Sequence, residues 1–107
     1  MSDTKRILLV CGMGMSSGFL ATSARKAAKK AGKDYKIEAR SETEAIQFLP
    51  SIDGLLVGPH YASKMEKFRK EAKPLNVPVE LIPDEIYGAL DGKRLIQLIS
   101  ENLLEEN

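Results

Sequence analysis

The residues with the clearest chemical potential are Cys11 and the segment that follows it, Gly12-Met13-Gly14-Met15-Ser16-Ser17-Gly18. Glycines let a backbone bend tightly and aim its N–H groups inward. Ser16 and Ser17 add hydroxyl donors. A helix beginning just beyond adds the positive end of its dipole at the same place. The product is an anion cradle with a thiol on its rim, and its field favours the thiolate form of Cys11. A thiolate beside an anion cradle suits a covalent phosphoryl–cysteine intermediate.

Other chemistries are weaker fits. A lone Cys at the end of a buried strand is also an ordinary small core residue. A nucleotide loop of the GxxxxGK[ST] type needs a lysine that this segment lacks. Gly12, Gly14 and Gly18 are spaced two and four apart, not as GxGxxG. A single cysteine excludes a Cys-x-x-Cys redox pair, an internal disulfide and a Cys-based zinc cage. A cysteine phosphatase would place Arg after five intervening residues, where this chain has Ser17. It would also need a leaving-group acid, for which Asp84 and Asp91 are the candidates. A Cys–His hydrolase would have to use His60, the only histidine. His60 follows the third predicted strand at the same sheet edge, but an exposed loop histidine is more often a plain surface residue. A non-enzymatic anion-binding module could use the same cradle.

The elements that must position these residues can be read from the pattern. Ile7 to Val10 suits a strand buried on both faces. Phe19 to Ala31 is rich in Ala and Lys and predicts a helix that stops at Gly32. In it, Ala24, Ala27, Ala28 and Ala31 form a thin packing stripe, while Arg25, Lys26, Lys29, Lys30 and Lys33 read as a solvated face. Tyr35 to Arg40 alternates as a second strand. Ser41 and Glu44 have capping-box spacing for a helix over 42–48 that stops near Pro50. Asp53 to Gly58 is a third strand. Ala62 to Ala72 predicts an amphipathic helix with Met65, Phe68 and Ala72 inward. Val77 to Ile82 is a fourth strand, and Pro78 marks it as an edge. Pro83-Asp84 reads as a chain break. Asp91 can cap a last helix reaching Leu104, with Leu95, Leu98, Ile99 and Leu103 toward the core.

Strand and helix alternate four times, which implies a parallel sheet with helices on both faces, an α/β Rossmann-like fold of strand order 2-1-3-4. With 107 residues the expectation is one domain spanning 1–107. A hydrophobic share of 43% argues against wholesale disorder. A net charge of +1 gives no general attraction to nucleic acid. The longest apolar run, Ile7 to Cys11, is far short of the roughly 20 residues of a membrane helix, and the start lacks a signal peptide's apolar stretch. A cytoplasmic protein without metal or cofactor is expected.

Three stretches carry a resemblance. Ile7 to Ser17 resembles the active-site strand and loop of the lactose/cellobiose-type enzyme IIB of the bacterial sugar phosphotransferase system, in which an apolar strand is followed by Cys, two residues, Gly-Met-Ser-Ser/Thr and a helix. Cys11, Gly14, Met15, Ser16 and Ser17 match in place. Leu56-Val57-Gly58-Pro59 resembles the family's third strand and Gly-Pro-Gln turn, with His60 where the family commonly has Gln. Ile86 to Gly92 resembles its Tyr-Gly-x-x-Asp-Gly segment. The resemblance implies a four-stranded parallel fold and a monomer. It implies that phosphate passes from a histidine of enzyme IIA to Cys11, and then to a sugar held by the membrane enzyme IIC, of the cellobiose, chitobiose or lactose class. It makes residues 12–18 the phosphate-binding loop, with His60, Tyr87 and Asp91 as candidate rim residues. His60 is not the expected carrier. Tyr87 and Asp91 could instead pack and cap. Met13, Met15 and Phe19 fit either the core or a docking face for IIA and IIC.

Overall fold

Ile7, Leu8, Leu9 and Val10 are each 0–1% exposed. They form the inner part of β1 (Lys5–Val10) in a computed structural model that describes residues 4–10 and 15–104, with residues 15–17 as backbone. β1 pairs in parallel with β2 (Tyr35–Arg40) on one side and β3 (Gly54–Val57) on the other. β4 (Val79–Leu81) adds in parallel beyond β3, giving the order β2-β1-β3-β4 that the alternation predicts. Pro78 precedes this edge strand, where its missing N–H breaks no inner ladder.

Ile7, Leu9, Ile37, Leu56 and Ile82 belong to one apolar layer, covered by α1 (Met15–Lys30), α4 (Asp84–Ala89) and α5 (Gly92–Leu98). Leu8, Val10, Leu55, Val57 and Val79 belong to the other, covered by α2 (Glu42–Phe48) and α3 (Met65–Ala72). Burial on both faces is the reason that β1 and β3 read as unbroken apolar runs.

The helix ends are largely local chemistry. α1 stops where Gly32 adopts φ +72°, and the Lys33 N–H donates to the Ala28 carbonyl at 2.9 Å, a Schellman closure. α2 starts at a complete capping box between Ser41 and Glu44. Met65, Phe68 and Ala72 of α3 are buried as expected, but the turns from Pro59 to Lys64 are 3-10, with a break at Tyr61, so α3 begins later than Ala62. Pro83-Asp84, expected to interrupt the chain, instead opens α4: extended Pro83 is its N-cap, and Asp84 and Glu85 meet the dipole favourably. Asp91 caps α5 by accepting from the Arg94 N–H at 3.1 Å. The helix widens into a π turn over Ile99–Leu103. Leu95, Ile99 and Leu103 are buried; Ile96 is buried too, while Leu98 is only half-buried, because the stripe at 92, 95, 96, 99 and 103 is the one that meets α1 and the sheet. Of the alanine stripe on α1, Ala24 and Ala28 are buried, Ala27 is half-buried and Ala31 is exposed.

Two tertiary contacts tie separate elements together. α5 lies so close to α1 that a Cβ on Gly92 would stand 2.3 Å from the Ser23 carbonyl oxygen. On the other face, the Glu42 carboxylate accepts from Lys64 Nζ at 2.6 Å and Lys67 Nζ at 3.0 Å. Lys64 Nζ also stands 4.9 Å from the Tyr61 ring centroid. Glu42 follows β2 and Lys64 follows β3, with β1 between them, so this clamp spans the carboxyl end of β1. Hydrogen bonds from the two ammoniums hold the Glu42 carboxyl below its ordinary 4.5, and the Glu42 carboxylate raises Lys64 above its ordinary 10.5.

The close approach predicts that Gly92→Ala lowers stability by about 1–3 kcal/mol through overpacking. Gly88→Ala, with no described atom within 4 Å of the new Cβ, raises it by about 0.4–1 kcal/mol by restricting the unfolded chain. Urea unfolding of both variants checks this. The clamp predicts a pH signature. A carboxyl lowered on folding stabilises above its unfolded value and loses that contribution as pH falls through its folded value; a raised lysine stabilises below its unfolded value and loses it as pH rises through its folded value. Glu42→Gln therefore melts below the parent at neutral pH, and the two melting temperatures converge at both the acid and the alkaline end. A gap that stays constant across pH would rule out the charge pair as its cause.

Candidate functional site

In an open parallel sheet, ligands sit beyond the carboxyl ends of the strands at the point where strand order reverses. Here that point is the end of β1, with β2 on one side and β3 on the other. The strand ends are held together there. The Gly58 N–H donates to the Val10 carbonyl at 2.8 Å, and the Ile82 N–H donates to the Val57 carbonyl at 2.8 Å.

Cys11, Gly12, Met13 and Gly14 continue from β1 and lie outside the described residues. The described chain resumes as α1 at Met15, four residues before the expected start at Phe19. Met15, Ser16, Ser17 and Gly18 therefore form the first turn of the helix and not a loop. The first four N–H groups of a helix have no intrahelical partner, so these residues are better suited to present backbone donors than a free loop would be. No acidic residue stands in this turn to offset the dipole. Gly18 is intrinsically poor in a helix, by about 1 kcal/mol against Ala. Its carbonyl accepts from Thr22 Oγ1 at 3.0 Å. The early appearance of glycine is what makes the segment read as a loop; the two serines after Met15 are the signal for an earlier start.

Phe19 is 59% exposed, which removes it from the core. His60 is exposed on the 3-10 stretch after β3. Its ring meets that of Tyr87 edge-on, with centroids 5.4 Å apart and planes at 71°. Tyr87 is 8% exposed and belongs to the core beneath α4, so it both packs and supports His60. The structure thus brings His60 and Tyr87 together. Asp91 has a capping job at α5, next to the Gly92 that touches Ser23 on α1. Sequence reasoning missed α4, which carries Tyr87. It also missed the clamp of Glu42, Lys64 and Lys67, in which Glu42 stands 22 and 25 residues from the two lysines and shares no local pattern with them.

Several arginines are already committed. Arg25 donates to the Ile37 carbonyl, Arg40 pairs with Glu38 at 3.3 Å, and Arg94 pairs with Glu85 at 3.6 Å. Among the described residues no group of three His, Cys, Asp or Glu side chains could hold a metal ion. No described helix is long and apolar enough to cross a membrane.

Comparison with known proteins agrees with this frame. The profile of the family described as "PTS system, Lactose/Cellobiose specific IIB subunit" matches residues 6–98. The chain is 34% identical over 90 residues to the oligo-beta-mannoside-specific EIIB component of Bacillus subtilis, covering 84% of this chain and 87% of that one. It is 35% identical over 105 residues to the galactose-specific EIIB component of Lactococcus lactis, covering 94% and 96%. Its fold superposes on the lactose-specific IIB component domain of Streptococcus pneumoniae with a TM-score of 0.84 at 15% identity, over 92% of this chain and 97% of that one. With a family profile spanning most of the chain and relatives matched along nearly their whole length, the protein belongs to the lactose/cellobiose-specific IIB family, the phosphotransferase components of the sugar phosphotransferase system.

Proposed function

We propose that the chain is a phosphoryl carrier in which Cys11 accepts phosphate from a phosphohistidine of enzyme IIA and passes it to a sugar held by membrane enzyme IIC. The observation that carries this reading is the order of parts at the switch point: a buried central strand, a cysteine directly after it, a glycine segment, and a helix whose first turn carries no acid.

In the first step the Cys11 thiolate sulfur attacks phosphorus, the S–P bond forms and the P–N bond breaks, and the imidazole leaves with a proton. In the second, a sugar hydroxyl oxygen attacks the same phosphorus, the S–P bond breaks, and the thiolate is regenerated as the hydroxyl proton passes to a base of the IIC site. The phosphoryl group adds roughly two negative charges. Backbone N–H groups from Gly12 to Gly18 and the end of α1 offset them. His60, supported by Tyr87, stands at the rim. A carrier must keep its phosphate from water, and Ser17 where a phosphatase places Arg favours that role. Lacking a placed general acid typically forfeits ~10²–10⁴ in hydrolysis rate.

Residues 1–107 act on this reading as one cytoplasmic, monomeric IIB domain without metal or cofactor. The sugar is of the β-linked disaccharide class. The relatives carry names for different sugars, which fits selection of the sugar by IIC.

The test is phosphorylation by a phosphoenolpyruvate-driven cascade, read by intact mass. The parent protein gains one phosphate and holds it, Cys11→Ser gains none while melting like the parent, and His60→Gln still gains it. Acceptance by Cys11→Ser, or its loss in His60→Gln, would overturn the assignment of the carrier. Rapid release of phosphate from the isolated parent protein would favour a hydrolase.

A further inference from the structure

On the outer side of the helical layer, a groove of about 580 Å³ runs between the second half of α1 and the start of α5. Its lining is Ser23, Lys26, Ala27, Lys30, Ala31 and Lys93. The hollow exists because the alanine stripe of α1 continues past the point where Gly92 touches it, leaving a floor without bulk. Its size lies in the range of small-molecule sites.

Three ammonium groups surround the hollow, and no carboxylate among the described residues lines it. Among the described residues none of these three lysines makes an ion pair, although the chain as a whole carries 15 acids against 16 bases. α1 itself bears Arg25, Lys26, Lys29 and Lys30 and no acid at all. Lys26 and Lys30 are one turn apart, a like-charge spacing that destabilises a helix. Gathering a third ammonium from α5 adds to that cost, and a bound counter-anion would remove it. Lysine offers a compact charge with three donors, suited to phosphate, whereas planar carboxylates are matched by the fork of arginine, and no arginine is among the described residues lining the groove. The charge rims a concavity and is not spread over a flat face, so a small ligand fits it better than a membrane surface. Lys26 and Lys30 lie roughly 17–22 Å along α1 from its start at the candidate site, at 1.5 Å per residue.

We propose that this groove is a second anion site, binding a small organic molecule that carries two or more phosphate groups. It does not depend on phosphoryl transfer through Cys11.

Tripolyphosphate, titrated at low salt into the chain of residues 1–107 labelled with nitrogen-15, serves as the probe. Saturable shifts are expected at the amides of Lys26, Ala27, Lys30, Ala31 and Lys93. Binding weakens by roughly fivefold for each lysine changed to Gln, the upper end for an exposed ion pair. It fades with added salt and is unchanged in Cys11→Ser. Lys93→Gln alone, on the shorter helix, serves if the triple variant Lys26→Gln/Lys30→Gln/Lys93→Gln does not fold. Shifts confined to residues 12–18, or equal affinity in parent and lysine variants, would overturn the proposal. So would groove shifts produced by a glutamate decapeptide or by phosphatidylglycerol vesicles but not by tripolyphosphate.

Discussion

The backbone of β1 is bonded to a neighbour on each side, and its side chains from Ile7 to Val10 are shut away from water on both faces. Burying each such side chain is worth about 1.5–3 kcal/mol, so no other strand in this sheet has a better claim to the centre. The same double burial creates a difficulty. Where only one face is apolar, a slip of one residue exposes the core and is forbidden; where both are apolar, that safeguard is lost. Polar contacts at the strand ends supply the register instead. The Arg6 N–H donates to Asp53 Oδ2 at 2.8 Å, and the Asp53 N–H returns to the Arg6 carbonyl at 2.8 Å. At the far end the Gly58 N–H closes on Val10. These bonds fix the carboxyl end of β1, at Val10, relative to Gly58 and the end of β3.

Charge is arranged around the carboxyl end of β1 in layers. Nearest are the first N–H groups of α1, whose first turn carries no acidic residue. Beyond them, the Glu42 clamp carries two ammoniums against one carboxylate and ties the segments that follow β2 and β3. On the proposed function, a group that gains and loses about two charges in each cycle needs surroundings that change little between the two states. Fixed dipoles serve this better than a long mobile cation, which would have to move with every transfer. Positive charge on the outer half of α1, with its own groove, lies far enough along the helix to be separate from this machinery.

What could be read from the chain was local. Gly32 as a stop, Ser41 with Glu44 as a box, Pro78 as an edge mark and the inward trio Met65, Phe68 and Ala72 depend on spacings of a few residues, and the structure agrees with each. Alternation of strands and helices pointed to the parallel sheet, and the order expected within the right-handed crossover rule is the one observed. The misreadings arose where one residue type has two uses. Proline both breaks chains and begins helices, so Pro83 concealed α4. Glycine both opens loops and sits in helices, so Gly18 concealed the true start of α1. Contacts between distant segments, such as His60 on Tyr87 or Lys64 on Glu42, leave no trace in spacing.

The claim at the centre of this account is that the thiol after β1, and not the imidazole at the rim, carries the phosphate. A phosphorus-31 spectrum of the phosphorylated protein separates the two directly, because a sulfur–phosphorus bond and a nitrogen–phosphorus bond resonate apart. The account predicts a single phosphorothiolate signal that disappears when Cys11 is alkylated before phosphorylation. A phosphoramidate signal that survives alkylation would contradict it and make His60 the carrier.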